Sequence, residues 1–397
     1  MPATPPAAPA TAVDPLTTSL EWDIFCRVID NHGDLGVAWR LSAQLAAGGQ
    51  RVRLWVDDPT ALEWMAPGAL DGIVVGVQVL RWQEPFTDSA AAGDQPMSRS
   101  DVWVEAFGCD IDPEFIAEQL HLTLGYAEII ARNPLWINLE YLSAEPYVER
   151  CHGLPSPLNH GPGQGLTRHF FYPGFTPHTG GLLRETGLMA QQAAFDRIGW
   201  LTQLGIDFKG ERLVSLFCYE PAALGSWLAQ LQSDPRPTRL LVTHGRAAQA
   251  VKTWIEHQNG HSPSSAGHET LSISYVPALT QIDYDHLLWA CDLNFVRGED
   301  SLVRALWAGR PFVWHIYPQH DGAHEAKLAA FLDWLQAPAS LRRIHRLWNG
   351  LDDATAGVPW PPQDLQSWTD CVVAARTRLS AQPDLVTELL GFVTKRR

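Results

Sequence analysis

Asn294-Phe295-Val296-Arg297-Gly298-Glu299-Asp300-Ser301, followed by Leu302-Val303-Arg304-Ala305-Leu306-Trp307-Ala308-Gly309, decides the fold. It reads as the end of a strand, a glycine turn, then a helix. Gly309 and Pro311 stop that helix, since glycine suits the left-handed cap and proline cannot continue a helix. Such a turn lies at the carboxyl edge of a parallel sheet, where open α/β folds bind ligands. Arg297 to Ser301 packs one cation, two carboxylates and a hydroxyl into a single turn.

Working outward, the same alternation continues on both sides. The apolar periodicity predicts a helix over 190–203, then strand 213–218, helix 221–232, strand 239–243, helix 245–257, strand 271–276 and helix 281–290. Strand 293–296 leads into the turn, and strand 311–317 follows its helix. From about residue 321 the tail reads as helical.

The first half has its own alternation. Trp22 to Ile29 is a mostly apolar run, as a buried parallel strand requires. Asp30-Asn31-His32-Gly33-Asp34 is a turn, 35–47 is a helix ended by Gly48-Gly49, and 51–56 is the next strand. Strands are also expected over 73–80, 102–107, 134–141 and 168–172. A loop is expected over 89–100, and the Gly- and Pro-rich run 151–165 holds no regular pattern.

Two successive blocks of alternating strands and helices predict two Rossmann-like, doubly wound domains facing across a cleft. The expected limits are a disordered tail over 1–18, a first domain over 19–180, a second over 181–365, and C-terminal helices over 366–397 that pack back toward the first domain. In that arrangement the turns Asp30–Asp34 and Arg297–Ser301 face each other.

Composition narrows the class. Hydrophobic residues make up 46% of 397, enough for packed cores. The formal net charge of -15 argues against nonspecific nucleic-acid binding, which runs on Lys and Arg neutralising phosphate. No apolar run approaches the ~18 residues that span a bilayer. The Pro-, Ala- and Thr-rich start lacks the basic and apolar regions of a signal peptide. Six widely spaced cysteines form no CxxC pair and read as reduced thiols of a cytoplasmic protein.

Each chemical candidate has a plain structural reading beside it. Asp30 and Asp34 can cap a helix start, or together hold and deprotonate a substrate group, with Gly33 allowing close approach. Asp300 or Ser301 can likewise cap the second helix. A helix start favours a diphosphate, yet Glu299 and Asp300 would repel one at contact distance. The charges suggest a division: Arg297, Ser301 and backbone N–H groups on phosphate, Glu299 or Asp300 toward hydroxyls or an acceptor. Phe217 and Tyr219 end a strand and are either core or a stacking platform for a base. His320 and His324 have helical metal-ligand spacing, but Gly322 lies between them and no third ligand is evident. Gly161-Pro-Gly-Gln-Gly165 lacks the Lys-Ser/Thr of a phosphate loop, and Cys218 has no basic neighbour to activate it.

Three long stretches carry a family resemblance. They are Trp22 to Cys26 with Asp30-Asn-His-Gly-Asp-Leu-Gly36 and Trp39-Arg40, then Trp136 to Leu142, then Leu288 to Ser301 with Trp307 to Gln319. Together they resemble the protein-arginine rhamnosyltransferases that modify bacterial elongation factor P. The resemblance runs from about Trp22 nearly to the C-terminus. It implies a GT-B fold, an inverting transfer of L-rhamnose from dTDP-β-L-rhamnose, no metal or other cofactor, and a monomer. The implied acceptor is one arginine at a loop tip of elongation factor P, activating that factor for rescue of ribosomes at polyproline. Matched motif to motif, Asp34 falls on the candidate general base with Asp30 beside it, and Glu299 on a required carboxylate. Phe217, Tyr219, Gln281, Tyr284, Arg297, Gly298, Asp300 and Ser301 fall around the nucleotide-sugar. Asn31, His32 and Gly33 join the substrate side of the first turn, although His32 departs from the tyrosine expected there. Other readings of the residues are an epimerase or small-molecule transferase using a nucleotide-sugar, and a non-catalytic binder of the factor or of a nucleotide.

Overall fold

The computed structural model describes residues 19–28, 32–82, 98–125, 133–259, 270–319, 322–353 and 365–397. It contains two sheets. The first is built from β1 (Glu21–Cys26), β2 (Arg51–Val56), β3 (Val77–Arg81), β4 (Val102–Ala106), β5 (Leu135–Leu139), β6 (Pro155–Pro157) and β7 (Thr167–Phe171). The second is built from β8 (Arg212–Leu216), β9 (Thr238–Val242), β10 (Leu271–Tyr275), β11 (Leu293–Arg297) and β12 (Phe312–His315).

The first sheet runs β3-β2-β1-β4-β5-β7-β6 and the second β10-β9-β8-β11-β12. All pairings are parallel except β6 with β7. The central strands are buried on both faces, as in helix-covered parallel sheets: β4 and β8 are buried at every position, while the edge strands β3 and β10 are partly exposed. In both sheets the strand order reverses beside the first strand of the block, at β1/β4 and at β8/β11. Ligand crevices open at such reversals, outside the carboxyl ends of the strands. The turns after β1, β8 and β11 therefore all end at crevices, and these turns carry the candidate residues.

Several elements differ from expectation for local reasons. The expected helix over 190–203 is two helices, Leu188–Ala193 and Arg197–Gln203, because Asp196 caps the second by accepting the Gly199 N–H at 3.0 Å. The expected strand over 73–80 begins only at Val77, after Gly76 at φ 91°. The strand expected over 22–29 ends at Cys26. Pro155-Ser-Pro157, read as patternless, is an antiparallel edge strand, where a missing N–H is tolerated. The helix Pro113–Gly125 was not expected; its start signals are Pro113 at the first position, Glu114 in the first turn, and Asp112, which accepts the Glu114 N–H at 2.7 Å. The glycines at 161–165 lie in the loop joining β6 to β7. Among the described residues no helix is long and apolar enough to cross a membrane.

The chain crosses twice between the domains. The helix Leu365–Ser380 belongs to the second core through Trp368, Val372, Ala375 and Leu379. Only the last helix, Leu385–Arg396, returns to the first core, through Leu385, Val386, Leu389, Phe392 and Val393.

Where the domains meet, Phe175 packs on Phe331 and Trp334, with ring centroids 5.6 and 4.5 Å away, and an ionic network lies beside that apolar contact. Arg304 grips Asp285 with two bonds of 2.7 and 2.6 Å and reaches Glu185 at 2.6 Å. Glu185, in the connection between β7 and the second domain, also binds Arg40 of the first domain at 2.8 Å. Arg40 lies 3.7 Å from Asp300 and donates to the Gln281 carbonyl at 3.1 Å. Burial pushes the Glu185 carboxyl up, but Arg304 and Arg40 outweigh it and take it down to about 2. Gly36 lets the helices approach: a Cβ there would meet Gln281 Nε2 at 3.2 Å and Asp300 Oδ2 at 3.5 Å. Removing one partner of a buried ion network leaves uncompensated charge, which costs about 3–5 kcal/mol. Arg304→Met is therefore expected to lower unfolding stability by that amount in a urea titration. A loss below about 1 kcal/mol, the size of a surface pair, would show that the network does not hold the interface.

Candidate active site

On the first-domain side, the helix Gly33–Ala47 starts without a side-chain cap. His32 is the residue before it, with its ring edge-on to Trp64 at 5.9 Å. Gly33 has open space where a Cβ would stand. Asp34, in the first turn, does not cap the helix: its Oδ2 accepts the Tyr141 hydroxyl at 3.2 Å. Asp30 and Asn31 lie outside the described residues.

On the second-domain side, Gly298 turns the chain at φ 68°, a left-handed conformation that favours glycine. Its carbonyl accepts the Trp314 indole N–H at 2.8 Å. The helix Gly298–Ala308 also starts without a side-chain cap, and Gly309 closes it at φ 66°. Neither Asp300 nor Ser301 caps its start. Ser301 donates back to the Arg297 carbonyl. The Arg297 guanidinium stands over both aromatic rings of the neighbouring turn, 4.5 Å from Phe217 and 4.7 Å from Tyr219. It also donates to the Cys218 carbonyl at 3.4 Å. Tyr284 meets Phe217 edge-on at 5.6 Å, and His315 meets Tyr219 edge-on at 5.1 Å. Burial, with Arg297 and Arg246 nearby, depresses His315 to about 3, so its imidazole is neutral.

Glu299 links the two sides. Its Oε2 accepts the backbone N–H of Leu142, from the first domain, at 2.7 Å. Its Oε1 pairs with Lys327. Consecutive residues, Tyr141 and Leu142, thus hold the two carboxylates, one from each domain. Burial, and then the Glu299 charge, raise Asp34 to about 6, while the Tyr141 hydrogen bond and Lys327 pull it down. Burial, and then the Asp34 charge, raise the Tyr141 phenol, which keeps its proton and stays a donor. The pair can bind a cation, accept a proton, or do both.

Two sequence candidates point elsewhere. Gln281 donates across the domain contact to the Gly36 carbonyl at 2.9 Å. Asp300 faces Arg40 in the ionic contact instead of the division suggested by its charge, and burial raises its carboxyl against Arg40 and Arg304. Phe217, Tyr219, Tyr284 and Arg297 do come together. Tyr141, Leu142 and Lys327 were missed as site residues. Tyr141 had a signal, a polar end on an apolar strand, whereas Lys327 and a backbone N–H have no local signature. His324 Nδ1 accepts the Gln319 N–H at 3.1 Å, and His320 lies outside the described residues. Cys218 is buried and free, with burial pushing its thiol up to about 12.

Two doubly wound domains with switch points at β1/β4 and β8/β11 are the architecture of the GT-B glycosyltransferases. A UDP-glucosyltransferase from Polygonum tinctorium shares this fold at a TM-score of 0.51 and 11% identity, over 95% of this chain and 98% of that one. The model of the family described as elongation-factor P rhamnosyltransferase EarP matches residues 22–394. The chain is also similar to the protein-arginine rhamnosyltransferases of Pseudomonas putida and Pseudomonas aeruginosa. Each is 42% identical, and each match covers 94% of this chain and 98% of the relative. A solved structure concerning EarP-mediated arginine glycosylation of translation elongation factor EF-P matches at 31% identity and a TM-score of 0.61. It covers 94% of this chain and 98% of that one. The chain belongs to the EarP rhamnosyltransferase family.

The electrostatics can be checked without substrate. Because Glu299 raises Asp34, Glu299→Gln should lower the Asp34 midpoint from about 6, as followed by carboxyl-carbon NMR. An unchanged midpoint would mean the two carboxylates do not sense each other.

Proposed function

We propose that this enzyme transfers L-rhamnose from dTDP-β-L-rhamnose to an arginine side chain of elongation factor P, with inversion and without a metal. The observation that carries the reading is the carboxylate pair, Asp34 and Glu299, held on adjoining residues where the domains meet. A guanidinium is a cation that presents several N–H donors in a plane, and facing carboxylates suit it. The activity for which the relatives are named, arginine rhamnosylation, supports the same acceptor.

In this reading the donor lies along the β8/β11 crevice. Phe217, Tyr219 and Tyr284 offer aromatic surface to the thymine and sugar. The uncapped helix start at Gly298 and the Arg297 guanidinium take the diphosphate, whose charge grows as it leaves. Glu299 orients the guanidinium. One guanidinium nitrogen then bonds to the anomeric carbon as the bond from that carbon to the diphosphate oxygen breaks. Attack from the opposite face inverts the β linkage to α. The proton released from the attacking nitrogen passes to Asp34. The modified factor would then act at ribosomes stalled on polyproline.

Incubation with dTDP-rhamnose and the factor, followed by mass spectrometry, should show a gain of one deoxyhexose on one arginine. No gain would sink the reading. Asp34→Asn should lower kcat by about 100- to 10,000-fold, the usual loss for a positioned base, while dTDP affinity is kept. Normal turnover of that variant would reassign the base.

The pH profile follows from the same residue. A base acts in its ionised form, so kcat/KM should be level above about 6 and fall as pH drops through it. A profile flat down to pH about 4 would exclude Asp34, whose environment lifts it above the usual carboxylate range.

A further inference from the structure

Lys327 has no part in the steps described above, yet it touches their centre. It stands in the helix Ala323–Leu335 of the second domain and pairs with Glu299 Oε1. Its ammonium lies 6.0 Å from the centre of the Tyr141 ring, whose hydroxyl holds Asp34. Glu299 is therefore clamped from both domains, by Leu142 N–H on one oxygen and Lys327 on the other.

The charges around this point are unbalanced without it. Asp34 faces Glu299 from the second domain, the Tyr141 hydroxyl from the segment after β5, and the Cys26 thiol at the end of β1. Glu299 in turn lies near the phenols of Tyr147 and Tyr219. Of the groups bearing on Asp34 among the described residues, Lys327 is the cation, and it favours the ionised form. Two carboxylates in one partly buried site cannot both hold their charge cheaply unless a cation offsets one.

Resting on the transferase reading, we propose that Lys327 is a positioning residue. It holds Glu299 in register with Leu142 and supplies the counter-charge for the Asp34–Glu299 pair before the acceptor cation arrives. The site then carries two negative charges and one positive, a net charge that one guanidinium neutralises. The acceptor does not need to displace Lys327. A carboxylate accepts at several lone-pair positions, and Glu299 has used two.

The test compares Lys327→Met with Lys327→Arg. Met keeps the apolar stem and removes the charge, while Arg keeps the charge. In Lys327→Met the NMR midpoint of Asp34 should move up, and the acid limb of kcat/KM for the acceptor should move up with it. A rise of one unit corresponds to a tenfold loss on that limb. The KM for dTDP-rhamnose should stay as in the wild type, because the donor side is not touched. Lys327→Arg should restore both the midpoint and the acid limb. An unmoved Asp34 midpoint in the Met variant overturns the proposal. So does a loss confined to donor KM, or an Arg variant that behaves like Met. The NMR titration uses no substrate, so it decides the matter for Lys327 even if the wild-type enzyme fails to glycosylate the factor. That failure would count against the functional reading instead.

Discussion

Arg304 is the charge on which the placement of the two sheets depends. It is almost fully buried, and it serves Asp285 within its own domain and Glu185 in the connection. Glu185 then reaches Arg40 of the first domain. Each ion alone would be costly to bury. As a chain of alternating charges the desolvation is largely offset, and the geometry becomes exacting, because a fork of five donors fits few arrangements. Beside this network the helix Gly33–Ala47 meets the helix Gly298–Ala308, with Gly36 removing the side chain that would hold them apart.

That register matters because Asp34 and Glu299 reside on those same two helices. Asp34 lies six residues upstream of Arg40 on one, and Glu299 lies beside Asp300 on the other. Each carboxylate is then fixed by the segment after β5, Asp34 by the Tyr141 hydroxyl and Glu299 by the Leu142 N–H. The site pays for this closeness in the proton affinity of Asp34, which burial and Glu299 raise to about 6. On the proposed reading that cost is useful, since a base near neutral pH is stronger than an ordinary carboxylate and still ionised in the cell.

The sequence exposed the parts of this design that obey local rules. Apolar strand runs, helix periodicity and the Gly309 stop all act within a few residues, so both doubly wound blocks were legible, as was the cluster at Arg297–Ser301. What stayed hidden depends on distant partners. Capping and acid–base roles for Asp34, Asp300 and Ser301 look alike in sequence, since all place a polar side chain at a helix start. They separate only in three dimensions, where neither helix has a side-chain cap. Gln281 and Asp300 turned toward the domain contact because Gly36 and Arg40, some 240 to 260 positions away, approach them there. Lys327 was invisible for the same reason: a single lysine in a helix looks like any solvated one until Glu299 is placed against it.

The arrangement also bears on which acceptors the proposed chemistry can use. A sugar hydroxyl brings no charge and would leave the carboxylate pair with its net negative charge in a partly buried cleft. A lysine ammonium would balance the charge but presents it as a point, and cannot bridge two carboxylates held on separate domains with planar geometry. A guanidinium balances the charge and offers parallel donors to each side. Its attacking nitrogen must still lose a proton, and the surrounding groups differ in their readiness to take it. Glu299 has both oxygens engaged, by Leu142 and Lys327. Asp34 has the Tyr141 hydroxyl on one oxygen and the raised proton affinity. The division between an orienting carboxylate and a receiving one thus follows from what each already binds.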